Sequence, residues 1–155
     1  MEYWDLFMDT CFGEERIKLE KAIGDAFLFS NYYQKRETER LCILVGPPGS
    51  GKTTLLDMIR RMTVLNNWLS IWWELCPMER YHYPNIFCVL REGEYVFSST
   101  NDEHVALEYE NSVIVHTTGT RVDYTTYVDM KDTIVKPASI DQIVQHCISV
   151  AKGGM

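Results

Sequence analysis

The stretch GPPGSGKTT at residues 46–54 lies between an apolar run of strand length, LCILV, and a segment at 53–62 whose apolar residues recur at helical spacing. Its three glycines allow the backbone to wrap around an anion, and a helix that begins near Gly51 points its positive N-terminal end at the same place. Lys52 adds a charge for the β- and γ-phosphates of a nucleotide, and the Thr53 hydroxyl adds a ligand for Mg²⁺. The stretch therefore predicts a phosphate-binding loop between a strand and a helix. The candidate binding residues are Gly46, Pro47, Pro48, Gly49, Ser50, Gly51, Lys52, Thr53 and Thr54.

Residues 46–53 resemble the Walker A motif of P-loop NTPases, because they follow the pattern GxxxxGK(S/T) in the strand-to-helix context that the motif requires. The resemblance implies ATP and Mg²⁺ as cofactors, with Thr53 as the metal ligand. It also implies an α/β fold, in which helices cover both faces of a mostly parallel central sheet in a three-layer α/β/α arrangement. It does not by itself identify the reaction.

The rest of the chain predicts one domain with an N-terminal extension. The 155 residues have room for a single core, and no linker-like segment divides them. Apolar residues at helical spacing over 14–30 predict a helical lead-in within residues 1–40, ahead of a P-loop domain over 41–155. Further patterns predict strands at 68–75, 86–91, 95–100, 112–118 and 132–137, and a final helix that starts with a capping box at Ser139 and Gln142.

The charge and composition of the chain disfavour several classes of function. The formal net charge is −7, so a single copy should bind DNA or RNA poorly and would contact nucleic acid only through an assembly or a partner protein. No apolar run approaches the roughly 20 residues that span a bilayer, and acidic residues stand near the N-terminus where a signal peptide carries basic ones. The five cysteines include no CxxC pair, which favours reduced thiols in a cytoplasmic protein over a disulfide framework or a zinc site.

Segments on both sides of the loop resemble AAA+-like ATPases of the kind found in viral superfamily 3 helicases. The helical segment before the strand at 41–45 is similar to the entry segment of those domains, and YVFSSTND at 95–102 is similar to their motif C. By this resemblance, Asn101 would contact the γ-phosphate and the attacking water. Arg121 would be a finger or sensor arginine that neutralises charge in the transition state. The resemblance implies a protein that binds ATP and ADP, hydrolyses ATP and acts in nucleic-acid replication or processing.

The acid that would activate water has two alternative positions. One interpretation takes the segment 71–74 as the Walker B strand with Glu74 as the acid, 22 residues after Lys52. The other takes YVFSSTNDE as that strand, with Asp102 and Glu103 as the acids, about 50 residues after Lys52. The sequence leaves both open. A site that lacks such an acid would bind ATP but hydrolyse it slowly.

Two other classes of function fit parts of the sequence. GEYVF and the later VIVHTTGTRV resemble the pattern of shikimate kinases, which implies a small-molecule or nucleotide kinase, but few basic residues follow Arg121 to surround a transferred phosphoryl group. The numerous aromatic residues fit a nucleotide-gated assembly protein with little turnover. In such a homo-oligomer, Arg121 of a neighbouring copy would complete each site.

Overall fold

The computed structural model describes residues 1–29, 41–65, 69–73, 85–90, 94–107, 112–134 and 136–153, which form an α/β fold. Their strands are β1 (Leu41–Val45), β2 (Leu69–Trp73), β3 (Asn85–Leu90), β4 (Glu94–Thr100) and β5 (Val113–His116). They form one sheet in the order β2-β3-β4-β1-β5. β1 pairs in parallel with β4 and β5, whereas β3 pairs antiparallel with β2 and β4. The strands predicted before residue 119 are confirmed, but parallel pairing is limited to β4, β1 and β5.

Helices precede, connect and follow these strands. They are α1 (Glu2–Cys11), α2 (Arg16–Phe29), α3 (Lys52–Leu65), α4 (Glu103–Leu107), α5 (Tyr124–Ile134) and α6 (Pro137–Ala151), with a short 3-10 turn at Gly13–Glu15. The helices predicted within 14–30, after the glycine-rich loop and near the C-terminus are confirmed. Within the described residues, no helix has the length and apolar character needed to cross a bilayer.

The strand predicted at 132–137 is wrong, because its first residues form the last turn of α5. The Asp123 carboxylate starts that helix by accepting hydrogen bonds from the Thr126 backbone N–H at 3.0 Å and from its hydroxyl at 2.8 Å. The capping box at Ser139 is also wrong. Lys136 is the N-cap of α6, and Pro137 occupies its first turn, where proline sacrifices no hydrogen bond.

The two faces of the sheet are covered unequally by the described helices. Cys42, Leu44 and Phe97 point into a large apolar cluster with buried residues of α1, α2, α3, α5 and α6. Ile43 and Val45 point to the opposite face, where they meet Ala106 of α4. The N-terminal helices therefore share one core with the sheet.

A buried carboxylate joins three of these helices. Glu20 of α2 is 2% exposed and accepts a hydrogen bond of 2.7 Å from the indole N–H of Trp4 in α1. Its carboxylate also lies 3.3 Å from Nε of Arg16 and 2.9 Å from Nε2 of His146 in α6. Because a carboxyl group is costly to bury without polar partners, these contacts stabilise the packing of α1 and α6 against α2.

The α2–α6 contact also depends on Gly24. A Cβ atom at this position would lie 2.0 Å from the carbonyl oxygen of Cys147 in α6. That distance is far below van der Waals contact, so only glycine permits the two helix backbones to come this close.

We expect Gly24→Ala to lower the free energy of unfolding by about 1–3 kcal/mol, the usual effect of overpacking a core. The backbone clash should outweigh the roughly 1 kcal/mol by which alanine exceeds glycine in helix propensity. Urea denaturation measures the change. Lys21→Ala on the exposed side of α2 is the control and should change stability by no more than about 0.5 kcal/mol. A more stable Gly24→Ala variant would show that the helices are not in close contact there.

Candidate functional site

The glycine-rich loop, residues 46–51, curls around the amino group of Lys52. This amine donates hydrogen bonds to the carbonyl oxygens of Gly46 at 2.6 Å and Pro47 at 2.8 Å. Gly49 and Gly51 have φ angles of 78° and 97°, in the left-handed region that favours glycine. Burial lowers the pKa of Lys52 below its ordinary value. The loop therefore places a buried cation at its centre.

Helix α3 begins directly after this loop and points its N-terminus at the same place. The Leu55 N–H donates to the Gly51 carbonyl at 3.0 Å. The preceding N–H groups of Lys52, Thr53 and Thr54 belong to the first turn, where no acceptor exists within the helix. These N–H groups and the helix dipole favour an anion at this position. Thr53 is exposed here, so its hydroxyl is accessible to a ligand.

The register of the sheet brings other strand ends to the loop. Val45, the last residue of β1, is level with Thr100 of β4 and with His116 of β5. Because the three strands are parallel, the segments that follow them emerge at one edge. The chain continues from β1 to β2 at one edge of the sheet, and from the neighbouring β4 to β5 at the other edge. Ligands of open α/β sheets bind at such a switch point, where adjacent strands connect in opposite directions.

A cleft of about 870 Å³ opens at this edge of the sheet. Its volume falls within the range of small-molecule sites. It is lined by Phe7, Cys11, Pro48, Gly49, Gly51, Lys52, Thr53, Thr54, Ser99, Asn101, Arg121, Val122, Asp123, Tyr124 and Tyr127. Most of the predicted loop residues, together with Asn101 and Arg121, therefore meet in one place.

The segment after β5, residues 117–123, is fixed against the loop and against α1. The Thr117 N–H donates to the Val45 carbonyl at 2.8 Å. Thr118 donates from its N–H to the Cys11 carbonyl at 2.8 Å and from its hydroxyl to the Thr10 carbonyl at 2.6 Å. A Cβ at Gly46 would lie 1.9 Å from Oγ1 of Thr117. Glycine at 46 is thus required by contact with this segment.

Arg121 reaches the loop of its own chain. A Cβ built on Gly49 would lie 3.2 Å from Nη1 of Arg121. The guanidinium and the Lys52 amine are therefore two cations that belong to one cleft. Asn101, immediately after β4, is exposed and lines the same cleft.

The acids predicted to activate water are not found among the described residues that line this cleft. The Asp102 carboxylate accepts a hydrogen bond from the His104 N–H at 2.9 Å, and the Glu103 carboxylate lies 2.8 Å from Nε2 of His116. Neither of the two is among the described residues that line the cleft. Glu74 lies outside the described residues. Among the described carboxylates, the cleft contains that of Asp123, whose pKa is lowered by hydrogen bonds from Thr126 at the start of α5.

Sequence reasoning missed the contribution of α1 and α5 to the cleft. The signal for α1 was present, because Trp4, Phe7, Met8 and Cys11 recur at the i, i+3, i+4, i+7 spacing of a buried helical stripe. Phe7 and Cys11 belong to that stripe and approach Gly51, at 3.5 and 3.1 Å from a Cβ built there. Helix α1 of the lead-in therefore forms part of the site.

The described part of the chain contains no group of three His, Cys, Asp or Glu side chains that could hold a metal ion. Magnesium does not require one, because it usually binds through one or two protein oxygens together with phosphate oxygens and water. The exposed Thr53 hydroxyl at the start of α3 fits such a site.

Comparison with known proteins supplies no function. No known protein family, curated protein or solved structure matches the chain. The functional assignment therefore depends on the residues of the cleft and on their geometry.

Beside the cleft, His116 links β5 to α4 and to the turn before α2. Its Nδ1 lies 3.2 Å from the Glu15 carboxylate and its Nε2 lies 2.8 Å from that of Glu103. The hydrogen bond to Glu103 is the largest cause that raises the pKa of His116. Partial burial lowers this pKa, and the hydrogen bond to Glu15 raises it further, so that the net shift is upward. Lys18 forms a further ion pair of 3.1 Å with Glu15.

We expect the double variant Gly46→Ala/Thr117→Ala to be more stable than the sum of the single changes predicts. Gly46→Ala alone should cost about 1–3 kcal/mol through overpacking against Oγ1 of Thr117. Thr117→Ala removes that oxygen, so the coupling energy in a double-mutant cycle should reach about 1 kcal/mol. Urea denaturation of the four proteins measures it, and strictly additive effects would mean that the two residues do not touch.

We expect His116 to stabilise the fold more at acidic than at alkaline pH. Because its pKa is raised in the folded state, the stabilisation is complete below the unfolded pKa of about 6.5 and is lost as pH rises through the folded value. The Tm difference between the wild type and His116→Asn should therefore shrink between about pH 6 and pH 9. The stabilisation by His116 should amount to no more than about 1 kcal/mol, since its ion pairs with Glu15 and Glu103 are partly exposed.

The control for this measurement is Lys21→Gln, which removes an exposed lysine of α2. Its Tm difference from the wild type should stay constant. A His116→Asn difference that is also constant with pH would contradict the charged pairing.

Proposed function

We propose that this protein binds ATP with Mg²⁺ and hydrolyses it, as an ATPase similar to the AAA+ and superfamily 3 helicase domains. The observation that carries the proposal is the meeting of Lys52, Thr53, Asn101 and Arg121 in one cleft at the carboxyl ends of parallel strands. The proposal includes the three-layer P-loop fold. Two features support this fold: the strand, loop and helix over 41–65, and the position of α4 on the sheet face opposite the large apolar cluster, which places helices on both faces of the sheet.

The loop and α3 would hold the phosphates. The Lys52 amine already lies within the loop, so a modest movement of its side chain would transfer its hydrogen bonds from the loop carbonyls to phosphate oxygens. The first N–H groups of α3 and the Thr53 hydroxyl complete the binding surface. When bound, Mg²⁺ would neutralise charge on the β- and γ-phosphates.

Asn101 and Arg121 would act on the terminal phosphate. An arginine near the loop stabilises the negative charge that develops on the transferred phosphoryl group, and an amide at the end of the neighbouring strand orients the attacking water by hydrogen bonding. Arg121 reaches the loop of its own chain, so this role requires no neighbouring copy. Since the described carboxylate of the cleft, that of Asp123, is engaged at the start of α5, we expect slow turnover by the isolated chain.

Lys52→Ala should abolish binding of Mg·ATP, because it removes the amine at the centre of the glycine-rich loop, whereas Lys52→Arg should retain weakened binding. Arg121→Ala should bind Mg·ATP within about threefold of the wild type but hydrolyse it at least about 100-fold more slowly. Fluorescence titration with a labelled ATP analogue and phosphate release measure the two effects. Lys21→Ala is the matched control for loss of an exposed lysine.

Two results would contradict the proposal. Unchanged nucleotide binding by Lys52→Ala would exclude the loop as the phosphate site. Hydrolysis by the wild type that rises faster than linearly with protein concentration would exclude the single-chain role of Arg121. Repeating the assay with single-stranded DNA and RNA tests whether nucleic acid stimulates the activity.

A further inference from the structure

An exposed aromatic side chain lines the cleft on its α5 side. Tyr124, the first residue of α5, is 73% exposed and belongs to the same lining as the glycine-rich loop. Tyr127 also lines the cleft but is half-buried, and Phe7 of α1 is only 2% exposed. Among the described aromatic residues of the lining, Tyr124 is therefore the one most accessible to a ligand.

The backbone of Tyr124 is fixed although its side chain is exposed. The Asp123 carboxylate accepts a hydrogen bond from the Thr126 N–H at 3.0 Å, and the Asp123 carbonyl accepts one from the Tyr127 N–H at 2.8 Å. These bonds close the first turn of α5, in which Tyr124 lies. A side chain on a fixed backbone loses less conformational freedom when it binds a ligand.

Two contacts place Tyr124 close to the groups that would bind phosphate. The hydroxyl of Tyr127 lies 3.3 Å from Oγ1 of Thr54, in the first turn of α3. Tyr124 precedes Tyr127 by three residues on the same side of α5, which is about 5 Å along the helix axis. Arg121, whose guanidinium reaches Gly49, precedes Tyr124 by three residues, so their Cα atoms are at most about 11 Å apart.

The α1 side of the cleft offers less surface to a flat ligand. Cys11 is 1% exposed, and like Phe7 it packs against Gly51, at 3.1 and 3.5 Å respectively from a Cβ atom built there. This wall therefore lies beside the loop, where the phosphates would be. A flat apolar group attached to those phosphates would find an accessible ring on the α5 side instead.

We propose that the Tyr124 ring stacks against the base of a nucleotide whose phosphates are held by the glycine-rich loop. The inference rests on the proposed function and identifies a residue that would recognise the other end of the nucleotide. Nucleobases stack on aromatic side chains through the faces of their rings. Such stacking would also remove apolar area of both rings from water.

The test is titration calorimetry of the full chain with two Mg²⁺-bound ligands, ATP and ribose 5′-triphosphate. The second ligand has the sugar and the phosphates of ATP but lacks the base. Tyr124→Ala should weaken the binding of ATP about tenfold and change that of ribose 5′-triphosphate by no more than about twofold. Tyr124→Phe keeps an aromatic ring and should bind ATP within about threefold of the wild type.

Lys52→Ala separates a failure of this inference from a failure of the proposed function. Suppose that Lys52→Ala abolishes the binding of both ligands, whereas Tyr124→Ala weakens both equally or weakens neither. The loop then binds phosphate, and the stacking role of Tyr124 is overturned. If the wild type binds neither ligand, or if Lys52→Ala binds both as the wild type does, the proposed function fails and the stacking inference fails with it.

Val128→Ala is the matched control on the same helix. Val128 lies one turn after Tyr124, is 41% exposed and is not among the described residues that line the cleft. This variant should keep both affinities within about twofold of the wild type. Because Tyr124 is exposed, Tyr124→Ala should keep the wild-type Tm within about 3 °C. A loss of ATP affinity that Val128→Ala reproduces, or that accompanies a larger fall in Tm, would assign the effect to the stability of α5 and overturn the proposal.

Discussion

The contact between Gly46 and Thr117 is the constraint on which the candidate site depends. Because Oγ1 of Thr117 occupies the space that a side chain at 46 would need, the segment after β5 lies directly on the start of the glycine-rich loop. Thr118, the next residue, is hydrogen-bonded to α1. The same short segment then carries Arg121 to Gly49 and ends at Asp123, which starts α5. The contact of Gly46 with the Thr117 side chain thus fixes the glycine-rich loop, α1, the segment with Arg121 and the start of α5 relative to one another around the cleft.

Periodicity and loop chemistry predicted the strand, loop and helix at 41–65, because these features depend on local sequence. Asn101 was proposed from the resemblance of residues 95–102 to motif C, and the structure places it directly after β4. The strand predicted at 132–137 failed because a short apolar run looks alike in a strand and in the last turn of a helix, and the capping signal at Asp123 decided between them. The contribution of Phe7 and Cys11 could not be derived from the loop alone. It depends on the tertiary contact of α1 with Gly51, which the sequence separates by about 40 residues.

The local distribution of charge, rather than the net charge of the chain, determines whether the cleft attracts a small anion. The chain is acidic overall, and that balance predicts weak electrostatic contact with nucleic acid. Two cations, Lys52 and Arg121, nevertheless lie together in the cleft. Low-dielectric walls strengthen such local fields. A small anion would therefore meet a locally positive surface on a chain whose formal net charge is −7.

The hydrogen bonds of the Lys52 amine to Gly46 and Pro47 have a consequence for selectivity among anions. The loop's own carbonyl oxygens act as an internal competitor, so an incoming anion has to offset the loss of two short hydrogen bonds before it gains any affinity. Chloride, as a single atom, offers fewer acceptor sites than a phosphate group does. A polyphosphate offers several oxygens to the amine and to the first turn of α3 together. If the loop binds phosphate as proposed, these hydrogen bonds of Lys52 would lower its affinity for weakly binding anions.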